Sequence, residues 1–232
     1  MMNIQLKKKP NKPIIIQGFP GFGLVGTIAT EFLIEHLKPE LIGEFFYDEL
    51  PVTVAIHKEK LVKPMAIYYD KQYNLVILHT ILNVTGYEWK IADKIVEMAK
   101  LLKAKEIICL EGVASQAEQE IPTANVYSYG VKNAKDLHVQ PLQESIIIGV
   151  TAAMLLKYPD ISCFFAETHT SLPDSKAAAK LIEVLDKYLK LKVDYVPLIK
   201  QAEEFETKIK GLLQQSNKTI KEKETRDMSY LG

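Results

Sequence analysis

The 232-residue sequence has few of the residues that build metal sites. It contains only two cysteines, Cys109 and Cys163, and they are too far apart in sequence for a C-x-x-C pair, so no structural zinc site is predicted. Each cysteine lies inside an apolar, strand-like run, and we expect both to be small buried residues. The five histidines are scattered without an H-x-x-x-H or H-x-H pair, so the sequence predicts no metal centre.

The sequence also has no excess charge and no long hydrophobic run. Its 29 Lys and Arg residues balance 29 Asp and Glu residues, and no basic patch carries interleaved aromatics, so no nucleic-acid partner is expected. No apolar stretch reaches the roughly 18 residues that a membrane span needs. Residues 1–9 are polar and basic and lack the apolar core of a signal peptide. These properties predict a cytoplasmic protein that makes no membrane contact.

The most informative stretch is Pro13–Leu37, which predicts a strand, a glycine-rich turn and a helix. The apolar run Ile14–Ile16 is typical of a buried strand. After the turn, apolar residues recur at three- and four-residue steps, as on the core face of a helix. Between these elements, Gly21, Gly23 and Gly26 match the pattern G-x-G-x-x-G. Strand, turn and helix together predict the opening of an α/β fold.

This glycine pattern has two interpretations. A phosphate-binding turn would use the free N–H groups of the helix start, and Glu44 and Asp48 lie near the distance at which such sites carry an acidic residue. Against it, Pro20 stiffens the turn, Phe19 and Phe22 crowd it, and no complete βαβ unit follows. We therefore favour the second interpretation, in which glycine permits a sharp reversal and close helix–sheet packing, and we predict no cofactor.

The remaining chain predicts a single α/β domain whose mixed parallel and antiparallel sheet is flanked by helices. Four strand patterns follow the first helix, and their connections are too short for helical crossovers, so this part must be partly antiparallel. The predicted strands are Leu41–Asp48, Pro51–His57, Met65–Asp70, Asn74–Leu82, Glu106–Glu111, Ala124–Tyr129 and Ile161–Glu167. The predicted helices after the first are Tyr87–Lys103, Ser145–Tyr158, Ser175–Leu191 with Asp174 as N-cap, and a last one over about Tyr195–Gln215.

Three connecting or helical segments have an unusual composition. The charged segment between His57 and Met65 predicts a turn. Gly112–Thr123 has little apolar content and predicts a surface loop at the carboxyl end of a strand, where α/β proteins keep their sites. Ser145–Tyr158 is apolar on nearly every side, so we expect this helix to be buried between layers or between subunits.

The last predicted helix carries a narrow apolar stripe on an otherwise charged surface. A stripe of this width is typical of a helix–helix seam, which leaves two uses open: docking within the chain, or contact with another subunit or partner. The residues of this C-terminal seam are Leu198, Ala202, Phe205, Ile209 and Leu212. We therefore divide the chain into an N-terminal extension (1–12), an α/β domain (13–215) and a tail (216–232).

The tail combines a polar tether with an apolar tip. Ser216–Asp227 has one large apolar residue in twelve and predicts disorder. Such a tether spans about 20 Å, which allows the tip Met228–Gly232 to reach beyond the domain. The tip is either a frayed end or a docking motif whose terminal carboxylate is captured by a partner.

Four segments give the chain a resemblance to a known family. GFPGFGLVGTIATEFLIEHL, IICLEGVASQ, SIIIGVTAAMLLKYP and ETHTSLPDSKAAAKLIEVLDKYL resemble archaeal members of the proteasome assembly chaperone family, in the correct order and from about Pro13 to about Leu213. The resemblance implies a mixed α/β fold related to nucleoside phosphorylases and a homo-oligomer. For some members, the resemblance also implies ATP-independent binding to proteasome α-subunits. For other archaeal relatives, it implies oligomerisation without binding to proteasome subunits.

The resemblance also implies a role for the end of the tail. In the family, a penultimate tyrosine inserts between adjacent α-subunits, and the terminal carboxylate meets a lysine. In this chain Tyr230 is third from the end and Leu231 is penultimate, which departs from that motif. Tyr230, Leu231 and Gly232 are therefore the candidate proteasome-binding residues.

The competing hypothesis is an enzyme with a hydrolase or nucleoside-phosphorylase-like activity. Glu167, His169 and Ser171 follow the last predicted strand, and residues two apart on an extended segment point the same way, so an acid/base pair is geometrically allowed. Glu111 and the Gly21–Gly26 turn would complete such a site. The sequence has no G-x-S-x-G elbow and no P-loop, so we favour a protein-binding scaffold that is not an enzyme.

Overall fold

The computed structural model describes residues 3–46, 55–57, 60–115, 124–168 and 172–193, which build a mixed sheet covered by helices. The strands are β1 (Asn3–Leu6), β2 (Ile14–Gly18), β3 (Glu40–Phe46), β4 (Ala55–His57), β5 (Lys60–Val62), β6 (Met65–Asp70), β7 (Leu75–Thr80), β8 (Glu106–Ala114), β9 (Val126–Tyr129), β10 (Gln140–Pro141) and β11 (Ser162–Thr168). The helices are α1 (Val25–Leu37), α2 (Glu88–Leu102), α3 (Gly149–Lys157) and α4 (Ser175–Leu189), with 3₁₀ turns at Phe22–Leu24 and Ala134–Leu137.

The main sheet has nine strands in the order β1-β3-β6-β7-β2-β8-β11-β9-β10. The central strands β7, β2, β8 and β11 are parallel, whereas β1, β3 and β6 form an antiparallel flank. On the other side, β9 is antiparallel to β11. The predicted mixed sheet is therefore confirmed. Because β7, β2, β8 and β11 run in the same direction, their carboxyl ends meet at one edge of the sheet.

Two hydrophobic layers lie on opposite faces of the sheet, and neighbouring residues on a strand alternate between them. Ile107 of β8 packs in the layer covered by α2 and α3, while Ile108 packs in the layer covered by α1 and α4. Phe165 and Phe164 of β11 divide in the same way. Residues at the carboxyl ends of β2, β8 and β11 therefore face either the α2/α3 layer or the α1/α4 layer according to their position.

Two segments that were predicted to be connections contain paired strand residues. β8 continues through Gly112 to Ala114, where Ala114 pairs with Thr168 of β11, so the predicted loop Gly112–Thr123 begins in a strand. An added Cβ at Gly112 would lie 2.0 Å from the Phe22 carbonyl oxygen, so this glycine is required by close packing within the fold. The predicted charged turn between His57 and Met65 contains β5, which forms a hairpin with β4. Residues 116–123 lie outside the described residues.

Helix α3 is shorter than predicted. It covers Gly149–Lys157 instead of Ser145–Tyr158, and residues 145–148 are not helical. Gly149 has a φ of +78°, outside the right-handed helical region, and Ile148 is extended, so the helix begins only after this break. Residues 145–148 are mostly apolar, so their composition did not reveal this break. Ile146 and Ile148 therefore lie before α3 and not within it.

Helix α4 begins where the sequence predicts. The Asp174 carboxylate accepts a hydrogen bond of 2.9 Å from the Ala177 N–H, which confirms Asp174 as the N-cap. The predicted helix Tyr195–Gln215, with its apolar seam, and the tail to Gly232 lie outside the described residues. Within the described ranges, no helix combines the length and the apolar character that crossing a bilayer requires.

Candidate functional site

The glycine-rich turn between β2 and α1 packs directly against β8 at the carboxyl edge of the sheet. An added Cβ at Gly21 would lie 1.8 Å from the Oε1 atom of Glu111, and one at Gly26 would lie 2.3 Å from the carbonyl oxygen of Leu110. A side chain at either position would collide with β8, which is the close packing that the second interpretation of the glycine pattern predicts.

The same turn is tied to the start of α4. Gly23 has a φ of +63°, which favours glycine, and its carbonyl oxygen accepts a 2.9 Å hydrogen bond from the Asp174 N–H. The Thr168 hydroxyl donates a 2.6 Å hydrogen bond to the second oxygen of the Asp174 carboxylate. Asp174 therefore links the end of β11, the glycine-rich turn and the first turn of α4.

Glu111 is buried beneath this turn, on the side of the sheet covered by α2 and α3. Its Oε2 atom accepts a 2.9 Å hydrogen bond from the Thr151 hydroxyl in the first turn of α3. The Gln17 side-chain amide donates a 3.2 Å hydrogen bond to the Thr151 oxygen, so the three residues form a chain. Burial raises the pKa of Glu111 to about 8, although hydrogen bonds from Thr151 and the Gly112 backbone oppose the shift. Glu111 is therefore mainly protonated at neutral pH.

Glu167 forms a second polar cluster on the adjacent strand, β11. It lies opposite Val113, two positions beyond Glu111 in the register of β8 and β11. Its carboxylate accepts hydrogen bonds from the Ser115 hydroxyl (2.5 Å), the Asn125 amide (2.7 Å) and the Tyr127 hydroxyl (3.3 Å). These contacts hold the ends of three strands together.

The structure brings together only part of the predicted enzyme site. Glu111 lies against the glycine-rich turn, as the enzyme hypothesis requires, and Glu167 faces the same side of the sheet from the next strand. His169 and Ser171 lie outside the described residues, so the acid/base pair stays a prediction. Sequence reasoning missed Thr151 and Gln17, since nothing local pairs them with Glu111.

The two cysteines are neighbours in the sheet. Cys109 of β8 and Cys163 of β11 are directly paired in register, and both are fully buried, which confirms their predicted burial. The hydrogen bond that the Cys163 thiol donates to Cys109 raises the pKa of Cys163, and burial raises it further. In the part of the chain that the structure describes, no three His, Cys, Asp or Glu side chains are grouped so that they could hold a metal ion.

The most unusual surface of the described residues combines the segment just before α3 with the exposed side of α3. Ile146 and Ile148 are 89% and 70% exposed, and Leu156 at the other end of the helix is 74% exposed. Trp89 of α2 lies beside this end of α3, because the Lys157 ammonium is 5.2 Å from its ring centre. Trp89 is itself about half exposed. Clustered exposure of large apolar side chains marks a surface that binds another molecule.

Comparison with known proteins places this chain in a family. Residues 15–213 match the model of the PAC2 family. The chain is 28% identical over 219 residues to the uncharacterised protein MJ0106 of Methanocaldococcus jannaschii, covering 90% of this chain and 88% of the relative.

Two solved structures from Pyrococcus furiosus share the fold. The crystal structure of PbaA, an archaeal homologue of proteasome-assembly chaperone, is 29% identical, has a TM-score of 0.84, and aligns over 94% of this chain and 99% of its own. PbaB, an archaeal proteasome activator, has a TM-score of 0.71 at 23% identity over 91% of this chain and 98% of its own, which is a likeness of fold. With the family match covering most of the sequence, the conclusion is that this chain belongs to the PAC2 family.

Proposed function

We propose that this protein assists proteasome assembly by binding other proteins, as a cytoplasmic homo-oligomer that needs no cofactor and transforms no substrate. The observation that carries the proposal is the exposed apolar surface formed by α3 and the segment just before it, which is typical of a protein-binding surface. Family membership and the likeness to PbaA over 94% of the chain support the same function. The glycine-rich turn supports it as well, because its contacts are used for packing.

We further propose that the proteasome α-ring is the partner and that the end of the tail makes the contact. Tyr230 offers an aromatic anchor, and Gly232 carries the terminal carboxylate that a basic pocket can hold. Leu231 adds apolar surface next to the tyrosine. The twelve polar residues before the tip give it the reach to enter a pocket on a separate protein.

Contact between copies of the chain is the other part of the proposal. The C-terminal seam supplies apolar residues at the spacing that helix pairing uses. Its members are Leu198, Ala202, Phe205, Ile209 and Leu212.

A pull-down with purified proteasome α-subunits tests the proposed partner. The full chain is compared with a variant that ends at Asp227 and with the point variant Tyr230→Ala. We expect the full chain to retain α-subunits and both variants to lose most of this binding. Binding that survives in both variants would move the contact to the folded domain. If the full chain retains no α-subunit, the proposed partner is wrong.

The enzyme hypothesis stays the second candidate, and one observation favours it. Glu111 has a pKa of about 8 at the carboxyl edge of the sheet, which suits a general acid, and Glu167 faces the same side from the neighbouring strand. Hydrolysis or phosphorolysis of nucleosides that Glu111→Gln and Glu167→Gln both abolish, while Glu35→Gln on the surface of α1 does not, would support it. Activity unchanged by both substitutions would contradict it.

A further inference from the structure

We propose that the amino edge of the sheet docks an acidic surface of a partner protein through a band of exposed lysines. The amino edge is the end of the sheet at which β2, β7 and β8 begin, opposite the glycine-rich turn. The inference rests on the proposed function, because it takes the protein to act by binding other proteins, and it adds the charge that a partner must present. The lysine band consists of Lys12, Lys71, Lys103, Lys105, Lys190 and Lys192.

Main-chain hydrogen bonds hold three lysines of the band together. The Lys12 N–H donates a 2.9 Å hydrogen bond to the carbonyl oxygen of Leu102, the residue before Lys103. The Lys105 N–H donates a 2.8 Å hydrogen bond to the carbonyl oxygen of Pro13, the residue after Lys12. The starts of β2 and β8 and the end of α2 therefore place three lysines side by side.

The turn between β6 and β7 connects these lysines to the end of α4. The Asn74 side-chain amide in this turn donates a 3.0 Å hydrogen bond to the Lys12 carbonyl oxygen. The Tyr73 hydroxyl donates a 2.6 Å hydrogen bond to the carbonyl oxygen of Leu191. Lys71 lies in the same turn, and two lysines of the band flank Leu191. The lysine band therefore crosses the edge of the sheet from the α2/α3 layer to the α1/α4 layer.

The lysine band is a local excess of positive charge. All six lysines are exposed, and none of them forms an ion pair with another residue of the described ranges. Three carboxylates lie on the segments that carry the band, and each accepts hydrogen bonds from groups of the fold. They are Asp70, Glu106 and Asp186. Asp160, before β11, is exposed at the same edge, which still leaves a large positive excess there.

Local structure accounts for only part of this charge. Lys103 and Lys190 are the C-caps of α2 and α4, where a cation interacts favourably with the helix dipole. The other four lysines of the band are not on a helix, so the dipole does not explain them. Lys12 and Lys192 have φ values of +53° and +54°, a conformation that favours glycine. Like charges on one surface also repel one another. The fold itself therefore gains little from these lysines, and their charge is free for a contact outside the chain.

The chemistry of the band favours a protein over a nucleic acid. All of its cations are lysines, and the single arginine of the sequence is Arg226, whereas bidentate contacts to phosphates and bases depend on arginine. Tyr73, the aromatic residue in the β6–β7 turn, is partly buried and its hydroxyl is bonded within the fold. It therefore offers no free ring face on which bases could stack.

One exposed apolar side chain beside the band also favours a protein. Leu101 is 54% exposed and lies two residues before Lys103. An apolar contact bordered by charges is the usual composition of a protein interface. A single leucine provides too little apolar surface for insertion into a lipid bilayer. An acidic protein surface matches both the charge of the band and this mixed border, and we expect the contact to weaken as salt is added.

The test uses poly-L-glutamate as an acidic polypeptide probe and measures its binding to the full chain by titration calorimetry at low salt. Lys105→Glu reverses a charge at the centre of the band. Lys176→Glu, at an exposed position in the first turn of α4, makes the same change in net charge away from the band. We expect Lys105→Glu to weaken binding about tenfold and Lys176→Glu to leave it unchanged. Equal binding by wild type and Lys105→Glu, or no binding by wild type, would overturn the inference.

A neutral substitution separates charge from local damage. Lys105→Gln removes one unit of charge where Lys105→Glu removes two, so we expect about half the change in the logarithm of the binding constant. Circular dichroism checks that both variants keep the fold. An equal loss of binding in both variants would contradict an electrostatic contact and overturn the inference.

Competing probes separate the classes of partner. Duplex DNA and vesicles that contain phosphatidylserine are titrated under the same conditions. Binding to DNA or vesicles that Lys105→Glu weakens, without binding to poly-L-glutamate, would assign the band to that class and overturn the inference.

The pull-down with proteasome α-subunits is judged independently. If α-subunits are retained but poly-L-glutamate does not bind, the inference about the lysine band fails alone. If poly-L-glutamate binding depends on Lys105 but no α-subunit is retained, the proposed proteasome partner is wrong and the inference about the band is supported.

Discussion

The buried carboxyl of Glu111 makes the stability of the fold depend on pH. In the folded protein its pKa is about 8, whereas the ordinary value, which applies to the unfolded chain, is 4.5. Below pH 4.5 both states hold the proton, and the full stability is present. As the pH rises from 4.5 toward 8, the unfolded state ionises while the folded state stays protonated, so folding becomes progressively less favourable. Above the folded pKa both states are ionised and the loss is complete.

The size of this loss follows from the two pKa values. Each pH unit between 4.5 and about 8 costs about 1.4 kcal/mol, so the upper limit is about 5 kcal/mol. Glu111→Gln removes the titration and keeps nearly the same volume, and its carbonyl oxygen can still accept the hydrogen bond from Thr151. We therefore compare the unfolding free energy of Glu111→Gln with that of wild type at two pH values. The difference in favour of the variant should be several kcal/mol larger at pH 8 than at pH 5.

Urea unfolding followed by circular dichroism at half-unit steps from pH 5 to 9 measures this difference. Glu35→Gln, at an exposed position on α1, is the matched control, because it removes a carboxyl from the surface. For each variant, the unfolding free energy is plotted against pH and compared with that of wild type. Taking the difference between the two plots cancels the titration of all other groups. The reasoning is refuted if the Glu111→Gln difference is constant across this range, since burial would then not have changed the protonation of Glu111.

Two further predictions concern the glycine-rich turn and the cap of α4. Gly26→Ala should destabilise the fold by about 2 kcal/mol or more, because the new Cβ would lie 2.3 Å from the Leu110 carbonyl oxygen. Helix propensity alone predicts a gain in stability of about 1 kcal/mol. The sign of the change in unfolding free energy, measured with urea, therefore decides between the two effects. Asp174→Ala should cost about 1 to 2 kcal/mol of unfolding free energy through the lost N-cap, and Asp174→Asn should recover most of it. Equal stability of Asp174→Ala and wild type would show that the cap contributes nothing.

The sequence predicted the elements that local patterns determine. β2, the turn and α1 were found because the apolar spacing changes between Ile16 and Val25, and the glycines mark the place. The cap at Asp174 was found because its chemistry involves only the next three residues. Such features need no knowledge of distant parts of the chain.

Features that depend on distant contacts were missed. The end of β8 at Gly112 resembles a loop in composition, and only its pairing with β11, more than fifty residues later, makes it a strand. The hydrogen bond between Glu111 and Thr151 joins residues forty positions apart. The exposure of Ile148 was hidden by an apolar segment that predicted helix on both sides of Gly149. Periodicity indicates which side of an element is apolar, but not what covers it.

The contact between Gly23 and Asp174 has a consequence for how the chain is made. The glycine-rich turn leaves the ribosome before the parts of the chain that it contacts. The strand beneath it, β8, is completed about ninety residues later, and the Asp174 N–H that binds the Gly23 carbonyl oxygen comes about 150 residues later. Until β8 is made, β2 and α1 therefore lack the strand against which they pack. Contacts over such separations slow folding, so we expect this domain to reach its final form only after synthesis of α4. Until then, its own unfinished core is exposed to other proteins in the cell.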